Sequence, residues 1–296
     1  MISTISDRYD VKFFTDISDV GIVIQGPLIS RGRTGVTAQI KRHKVASQHV
    51  VNYECIENIA KLFKEFGGFG RMVCVIWSDE SEDDIERLQS LVGSENVSII
   101  DDATKNVKPK KGVLPGNNKY RQFYSSLKGT EILAEHGCEY AIKIRSDQYL
   151  NLYELAEDFL KIKAARKNFI MIPRLQSGSS TDHLADFYIG GKTNDLRTCF
   201  GTYLSSPELY RNVHTDIFYS WASIMLGRPK YPPRVLGVKT NRRYIARAWN
   251  TLYCPASFSV LSALLWRGES IAINRQKTKF IEDLPSGLKI SNAMLK

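Results

Sequence analysis

One stretch of this sequence concentrates groups that handle anions. In Ile142-Lys143-Ile144-Arg145-Ser146-Asp147-Gln148-Tyr149, two cations alternate with isoleucines and a carboxylate follows. In an extended chain this puts Ile142 and Ile144 on one side and Lys143 and Arg145 on the other. A strand covered by helices is apolar on both faces near its middle. The two cations therefore need an anion nearby or a place at the exposed strand end. A phosphate-bearing ligand over the strand end meets that need, because a guanidinium grips phosphate bidentately. Asp147 would then hold a divalent metal, Mg²⁺ or Mn²⁺, that also touches phosphate, or accept a hydrogen bond from a ribose or sugar hydroxyl.

A second group of reactive side chains lies in His183-Leu184-Ala185-Asp186-Phe187-Tyr188-Ile189-Gly190-Gly191. Asp186 leads into an apolar run that ends in two glycines, which would let the backbone approach a ligand closely.

The elements that position these groups follow from hydrophobic patterning. Gly21 to Pro27, Arg71 to Trp77, Asn96 to Ile100, Glu139 to Ile144 and Phe169 to Pro173 are short apolar runs that read as buried strands. Between them, Asn52 to Phe66 (with Asn52 as cap), Ser81 to Leu91, Tyr120 to His136 and Tyr153 to Ala165 have helical spacing. Strand–helix alternation with short connections predicts an α/β fold, a mostly parallel sheet with helices on both faces. Ligands of such sheets bind beyond the carboxyl ends of the strands. The residues expected there are polar: Gln25, Asp79, Asp101, Asp102 and Asp147. Phe187 to Ile189 reads as a further strand. Pro207 to Leu226, Asn241 to Tyr253 and Ala256 to Trp266 read as helices, and Lys105 to Asn118 as a loop. The expected division is a core over residues 1–205 and a mostly helical region over 206–296.

The order Asn118-Lys119-Tyr120-Arg121-Gln122, Gly129, then Glu139 to Asp147 resembles the centre of GT-A glycosyltransferases, in which a helix leads into a strand ending in Asp-x-Asp. Together with Gly21 to Pro27 and Asp186 to Gly190, it is similar to the WavE family of bacterial lipopolysaccharide-synthesis proteins, over roughly residues 20 to 200. The resemblance implies a GT-A-like Rossmann-type fold, a nucleotide-sugar donor, a glycan or glycolipid acceptor, and a C-terminal region that completes the acceptor side. It implies that Gln25 and Gly26 line the nucleotide pocket, that Asp79 lies near base or ribose, and that Arg121 and Gln122 face the donor. It sets Asp147 in the place of the metal-binding second Asp. In an inverting reaction Asp186 would be the base that deprotonates the acceptor, with His183 as the alternate. Arg145 stands where the first Asp belongs. Either Asp147 holds a metal with fewer protein ligands, or Lys143 and Arg145 neutralise the phosphates in its place.

Composition sets outer bounds. The chain has 296 residues and a net charge of +10, which suits anionic partners. Its basic residues are spread out, so nucleic acid is not an expected partner, although a basic nucleic-acid-binding α/β protein and a sugar nucleotidyltransferase are the alternative classes. Arg242, Arg243 and Arg247 with Trp249 and Tyr253 could form a basic–aromatic face toward anionic lipid. Met1 to Thr15 has no apolar signal region, and no apolar run reaches the roughly 20 residues of a membrane span. Five scattered cysteines without a Cys-x-x-Cys pair argue against zinc and disulfide frameworks. The expectation is a cytoplasmic protein, with peripheral contact at the inner face of the membrane. No P-loop and no Gly-x-Ser-x-Gly elbow occurs.

Overall fold

The computed structural model describes residues 8–33, 50–101, 118–173, 175–176, 187–205, 252–271, 273 and 278–283. Fourteen strands are present among them. They are β1 Val20–Gln25, β2 Ile29–Arg33, β3 Val50–Glu54, β4 Arg71–Trp77, β5 Val97–Ile100, β6 Tyr140–Arg145, β7 Gln148–Tyr149, β8 Ile170–Ile172, β9 Leu175–Gln176, β10 Tyr188–Lys192, β11 Tyr253–Pro255, β12 Leu265–Trp266, β13 Glu269–Ser270 and β14 Thr278–Lys279.

Seven of them form the central sheet, in the order β11-β8-β10-β6-β1-β4-β5. Six run in one direction, and β10 alone is antiparallel to its neighbours β6 and β8. This is the mainly parallel α/β sheet that the alternation predicts. The period of two sorts its side chains cleanly. Ile22 and Ile24 of β1 pack in one core with Ile56, Ile59, Leu62 and Leu88 from the helices Ile56–Glu65 and Glu82–Val92. Val23 points the other way, into a second core with Phe123 and Leu133 of the helix Asn118–Glu135 and Phe200 of the helix Thr193–Ser205. Each such buried aliphatic side chain contributes roughly 1.5–3 kcal/mol.

The chain leaves β1 toward β4 and β5, then returns past β1 to β6 on its other side. The carboxyl ends of β1 and β6 therefore flank the point where the winding reverses, and a crevice opens there in open α/β sheets. A three-stranded sheet, β13-β12-β7, sits next to it and follows directly from β6. Asn151 caps the next helix, Leu152–Ala165, by accepting from the amides of Tyr153 and Glu154.

Several local expectations change. Asn52 is not a helix cap: it lies in β3, paired with Arg31 of β2, and the helix starts at Ile56. The polar content of Ile29–Arg33 and Val50–Glu54 hides an antiparallel ribbon that does not alternate as a buried strand does. Ala256 to Trp266 is not one helix but the short helix Phe258–Ala263 followed by β12. Tyr253 ends no helix; it opens β11, which joins the central sheet beside β8. Gly190 and Gly191 lie within β10, where a Cβ would press on Met171, Phe159 and the carbonyl of Phe169. Their small size serves sheet packing there. The expected helix Pro207 to Leu226 and loop Lys105 to Asn117 lie outside the described residues, as do Arg242, Arg243, Arg247 and Trp249.

Candidate active site

A cleft of about 500 Å³ opens at the carboxyl ends of β1, β4 and β6. That size suits a small-molecule ligand. Its lining includes Gln25, Gly26, Asp79, Arg121, Gln122, Arg145 and Asp147, so seven of the residues singled out from sequence share one wall system. Lys143 stands apart. It is 2 % exposed and lies in register with Val23 and Ile189, on the face covered by the helix Asn118–Glu135. It does not line the cleft. Asp186 and His183 lie outside the described residues.

The floor is built around Asp147, whose side chain is only 1 % exposed. Arg145 holds the carboxylate with two donors, Nε to Oδ1 and Nη2 to Oδ2, each at 2.9 Å. Oδ2 also accepts from Ser30 Oγ at 2.9 Å, Trp266 Nε1 at 3.0 Å and Arg267 Nε at 3.1 Å. The amide of Arg267 donates to the Asp147 carbonyl at 2.8 Å. Burial alone would push this carboxyl up. The adjacent Arg145 charge and the hydrogen bonds from Arg145, Trp266 and Ser30 outweigh it and hold the group at about 2.

The Asp147 loop is braced from both sides. Asn58, buried at the start of its helix, donates through Nδ2 to the carbonyls of Ser146 at 2.8 Å and Gln148 at 2.6 Å. Ser146 donates its amide to the Gln25 carbonyl and its hydroxyl to the Pro27 carbonyl, each at 2.9 Å. Gly26, with φ 144°, makes the turn out of β1 in a region that favours glycine. A Cβ there would collide with Ser146 Oγ. The Gln25 side chain is buried and accepts from Ser125 Oγ at 3.1 Å. Cys55 is buried close by. Burial, then the Asp147 charge, pushes its thiol up to about 12, so it has no thiolate reactivity.

Arg267 was not among the residues expected from sequence, nor was Trp266. Both come from the β12–β13 hairpin, Trp266 from the end of β12 and Arg267 from the turn. Arg267 (φ 53°) and Gly268 (φ 77°) are the two central residues of that hairpin. Positive φ at both positions matches the right-handed twist of a two-residue hairpin, and Asn or Gly usually occupies the first. An arginine there costs about 1–2 kcal/mol of local strain. Its side chain, 7 % exposed, is nonetheless drawn in to Asp147. A Leu-Trp-Arg-Gly-Glu-Ser pattern, with a Gly-containing pair between short strand formers, is the signal that could have shown this turn.

The other wall has different chemistry. Arg121 pairs with Asp79 and lies over the Trp77 ring, 4.6 Å from its centroid. Trp77 in turn stacks near Tyr124 at 6.0 Å. Glu80 and Asp84 join Asp79 on this side. Burial raises the Glu80 carboxyl above its ordinary value, partly offset by a hydrogen bond from the Leu28 amide. Cations held on one buried carboxylate and an aromatic–acidic rim therefore face the same space. Among the described residues, no three His, Cys, Asp or Glu side chains converge in the manner of a metal site.

No protein-family model matches this chain, and no curated protein does. Solved structures do align with it. One, assigned as a nucleotide-diphospho-sugar transferase from Desulfovibrio desulfuricans, has 10 % identity over 80 % of each chain, with TM-score 0.37. A mannose-1-phosphate geranyltransferase from Thermus thermophilus has 9 % identity, with 72 % of this chain and 68 % of that one covered and TM-score 0.32. A mutant UDP-glucose pyrophosphorylase from Leishmania major has 11 % identity and TM-score 0.30; 57 % of this chain covers 38 % of that one. Values this low assign no activity. No helix among the described residues is long and apolar enough to cross a membrane.

Proposed function

We propose that this protein is a glycosyltransferase that moves a sugar from a nucleotide-sugar donor to a glycan or glycolipid acceptor, in the synthesis of bacterial lipopolysaccharide or surface polysaccharide. One observation carries the reading: two guanidiniums, Arg145 and Arg267, are mounted on a single buried carboxylate in the crevice where the sheet reverses its winding. Guanidinium pairs suit the diphosphate of a nucleotide sugar. On the opposite wall, Arg121, lying on the buried Trp77 ring, and its partner Asp79 offer polar groups to base, ribose or phosphate.

The chemistry needs little from the protein beyond position and charge. The acceptor hydroxyl oxygen bonds to the anomeric carbon as the bond from that carbon to the phosphate oxygen breaks. The electron pair leaves with the nucleoside diphosphate, whose growing charge the guanidiniums stabilise. In an inverting course the hydroxyl proton passes to Asp186, with His183 as the alternate. Residues 206–296 complete the acceptor side. Tyr253 is buried in the central sheet and drops out of the basic–aromatic face; the segment from Arg242 to Trp249 brings the protein to the anionic inner face of the membrane, where a glycolipid acceptor resides.

A thermal-unfolding panel of UDP-, GDP-, CMP- and dTDP-sugars tests the donor class, since ligands that bind only the folded state raise its midpoint. The expected result is a rise with one nucleotide family. No rise with any donor, together with a retarded band on labelled DNA or RNA, would replace this reading with nucleic-acid binding.

A further inference from the structure

Resting on the nucleotide-sugar reading, we infer that the cleft takes the donor's diphosphate without a divalent cation, and that Arg145 and Arg267, positioned by Asp147, supply the positive charge a metal would bring.

The argument starts from the acceptor capacity of Asp147. A carboxylate offers about four lone-pair directions. Asp147 already accepts five side-chain hydrogen bonds, four of them on Oδ2, from Arg145, Ser30, Trp266 and Arg267. Oδ2 is saturated, and a cation at the second lone pair of Oδ1, which among the described residues accepts from Arg145 Nε, would sit against the Arg145 guanidinium. Like charges at such distances repel strongly where water is scarce, and this carboxylate is 1 % exposed. The hard-cation sites of phosphate-handling proteins use one or two carboxylates facing an open, hydrated position, which is a different environment.

The same geometry that is wrong for a cation is right for an anion. At the floor, Arg145 and Arg267 both meet the Asp147 carboxylate, and both guanidiniums are held in fixed orientations. Arg145 is clamped through Nε and Nη2 on the carboxylate. Arg267 is clamped through Nε on the carboxylate and through its own amide on the Asp147 carbonyl. Trp266 lies beneath both, 5.9 Å from the Arg145 guanidinium carbon and 5.1 Å from that of Arg267. Pre-set donors aimed at a developing charge do the electrostatic work of catalysis without reorganising. The strained backbone of Arg267 fits this role. Strain of this kind persists where surrounding contacts over-determine it, commonly at ligand clamps, and the Asp147 contacts do so here. Among the described residues, the other carboxylates lining the cleft, Asp79, Glu80 and Asp84, lie on the β4 side, where Asp79 is paired with Arg121. Asp147 is thereby a positioning residue, and the two arginines are the groups that touch phosphate.

The test uses the full-length protein and four probes, UDP, GDP, CDP and dTDP, each titrated by calorimetry in EDTA and again in excess MnCl₂ or MgCl₂. The inference expects one of them to bind with affinities within about threefold in the two conditions. Binding that needs the metal would overturn it while leaving the nucleotide reading intact. Absence of binding in both conditions would overturn the nucleotide reading as well. Arg267→Ala and Arg145→Ala should each weaken the bound probe by about 10- to 100-fold, the range for losing a hydrogen bond to a charged group. A folded variant that binds as wild type would remove that arginine from the site. Should an alanine variant fail to fold, Arg267→Lys keeps a charge without the fork and should bind several-fold more weakly. Equal binding by that variant would contradict a role for the oriented guanidinium, and the wild-type EDTA comparison stands without any variant.

Discussion

Replacing Asp147 by Asn removes the charge on which the floor of the cleft is built and leaves its volume nearly unchanged. Two estimates of the stability cost bracket the outcome. The carboxyl is held at about 2 against an ordinary 3.8. At about 1.4 kcal/mol per pH unit, that corresponds to about 2 kcal/mol of stability at neutral pH. Removing one partner of a buried ion pair costs about 3–5 kcal/mol, because the surviving charges are stranded. Here two guanidiniums survive, one of them 24 % exposed and able to recruit water. A loss of about 3 kcal/mol at neutral pH is therefore expected. The pH dependence has a definite sign. The folded-state value is depressed, so the contribution is full above about pH 4 and fades as pH falls through about 2. The amide of the variant cannot titrate. The stability gap between wild type and D147N should therefore shrink by about 2 kcal/mol between pH 5 and pH 2. Urea unfolding followed by tryptophan fluorescence at a series of pH values measures both quantities. Equal midpoints at neutral pH, or a gap that stays constant on acidification, would refute the arrangement of charges described for this floor.

Three further perturbations probe the supports. Gly26→Ala should cost about 1–3 kcal/mol, since φ 144° strains any side chain, and adding Ser146→Ala should recover only the collision with Ser146 and not the backbone strain; urea midpoints of the single and double variants check this. Asn58→Ala removes two buried hydrogen bonds to the carbonyls beside Asp147. It should cost about 1–3 kcal/mol and weaken nucleoside diphosphate binding although Asn58 does not line the cleft, which calorimetry reads. Arg121→Ala should change stability by less than about 1 kcal/mol, because its partner Asp79 is exposed, while lowering nucleotide affinity, so a midpoint and a Kd measured together separate the two effects.

Six of the central sheet's seven strands were legible because they are short apolar runs and helical spacing fills the gaps between them; β11 was hidden at the end of a stretch that reads as a helix. Asp147 stood out for a related reason: a carboxylate directly after a buried run must either leave the core or be met by partners. What those partners are was not legible. Ser30 and Arg267 reach Asp147 across 117 and 120 residues, and no local pattern encodes such distances. Arg267 was further hidden because Ala256 to Trp266 reads as one apolar helix until the Arg-Gly turn is recognised as a hairpin. Lys143 shows the opposite failure. Alternation put it with Arg145 on one side of the strand, and that much is geometry, but two residues of depth separate a cation inside the sheet from one at its mouth. The direction of β10 was also invisible, since a strand with two glycines pairs equally well either way.

The most direct test of the central claim is to follow nucleotide sugars with the protein by ³¹P nuclear magnetic resonance, in the presence of a lipopolysaccharide-core acceptor extract and EDTA. The account predicts that one donor's diphosphate resonances are replaced by those of the free nucleoside diphosphate, with the sugar transferred. Donors left intact under all conditions would contradict it, as would conversion, on adding pyrophosphate, to a nucleoside triphosphate and a sugar phosphate, the signature of nucleotidyl transfer.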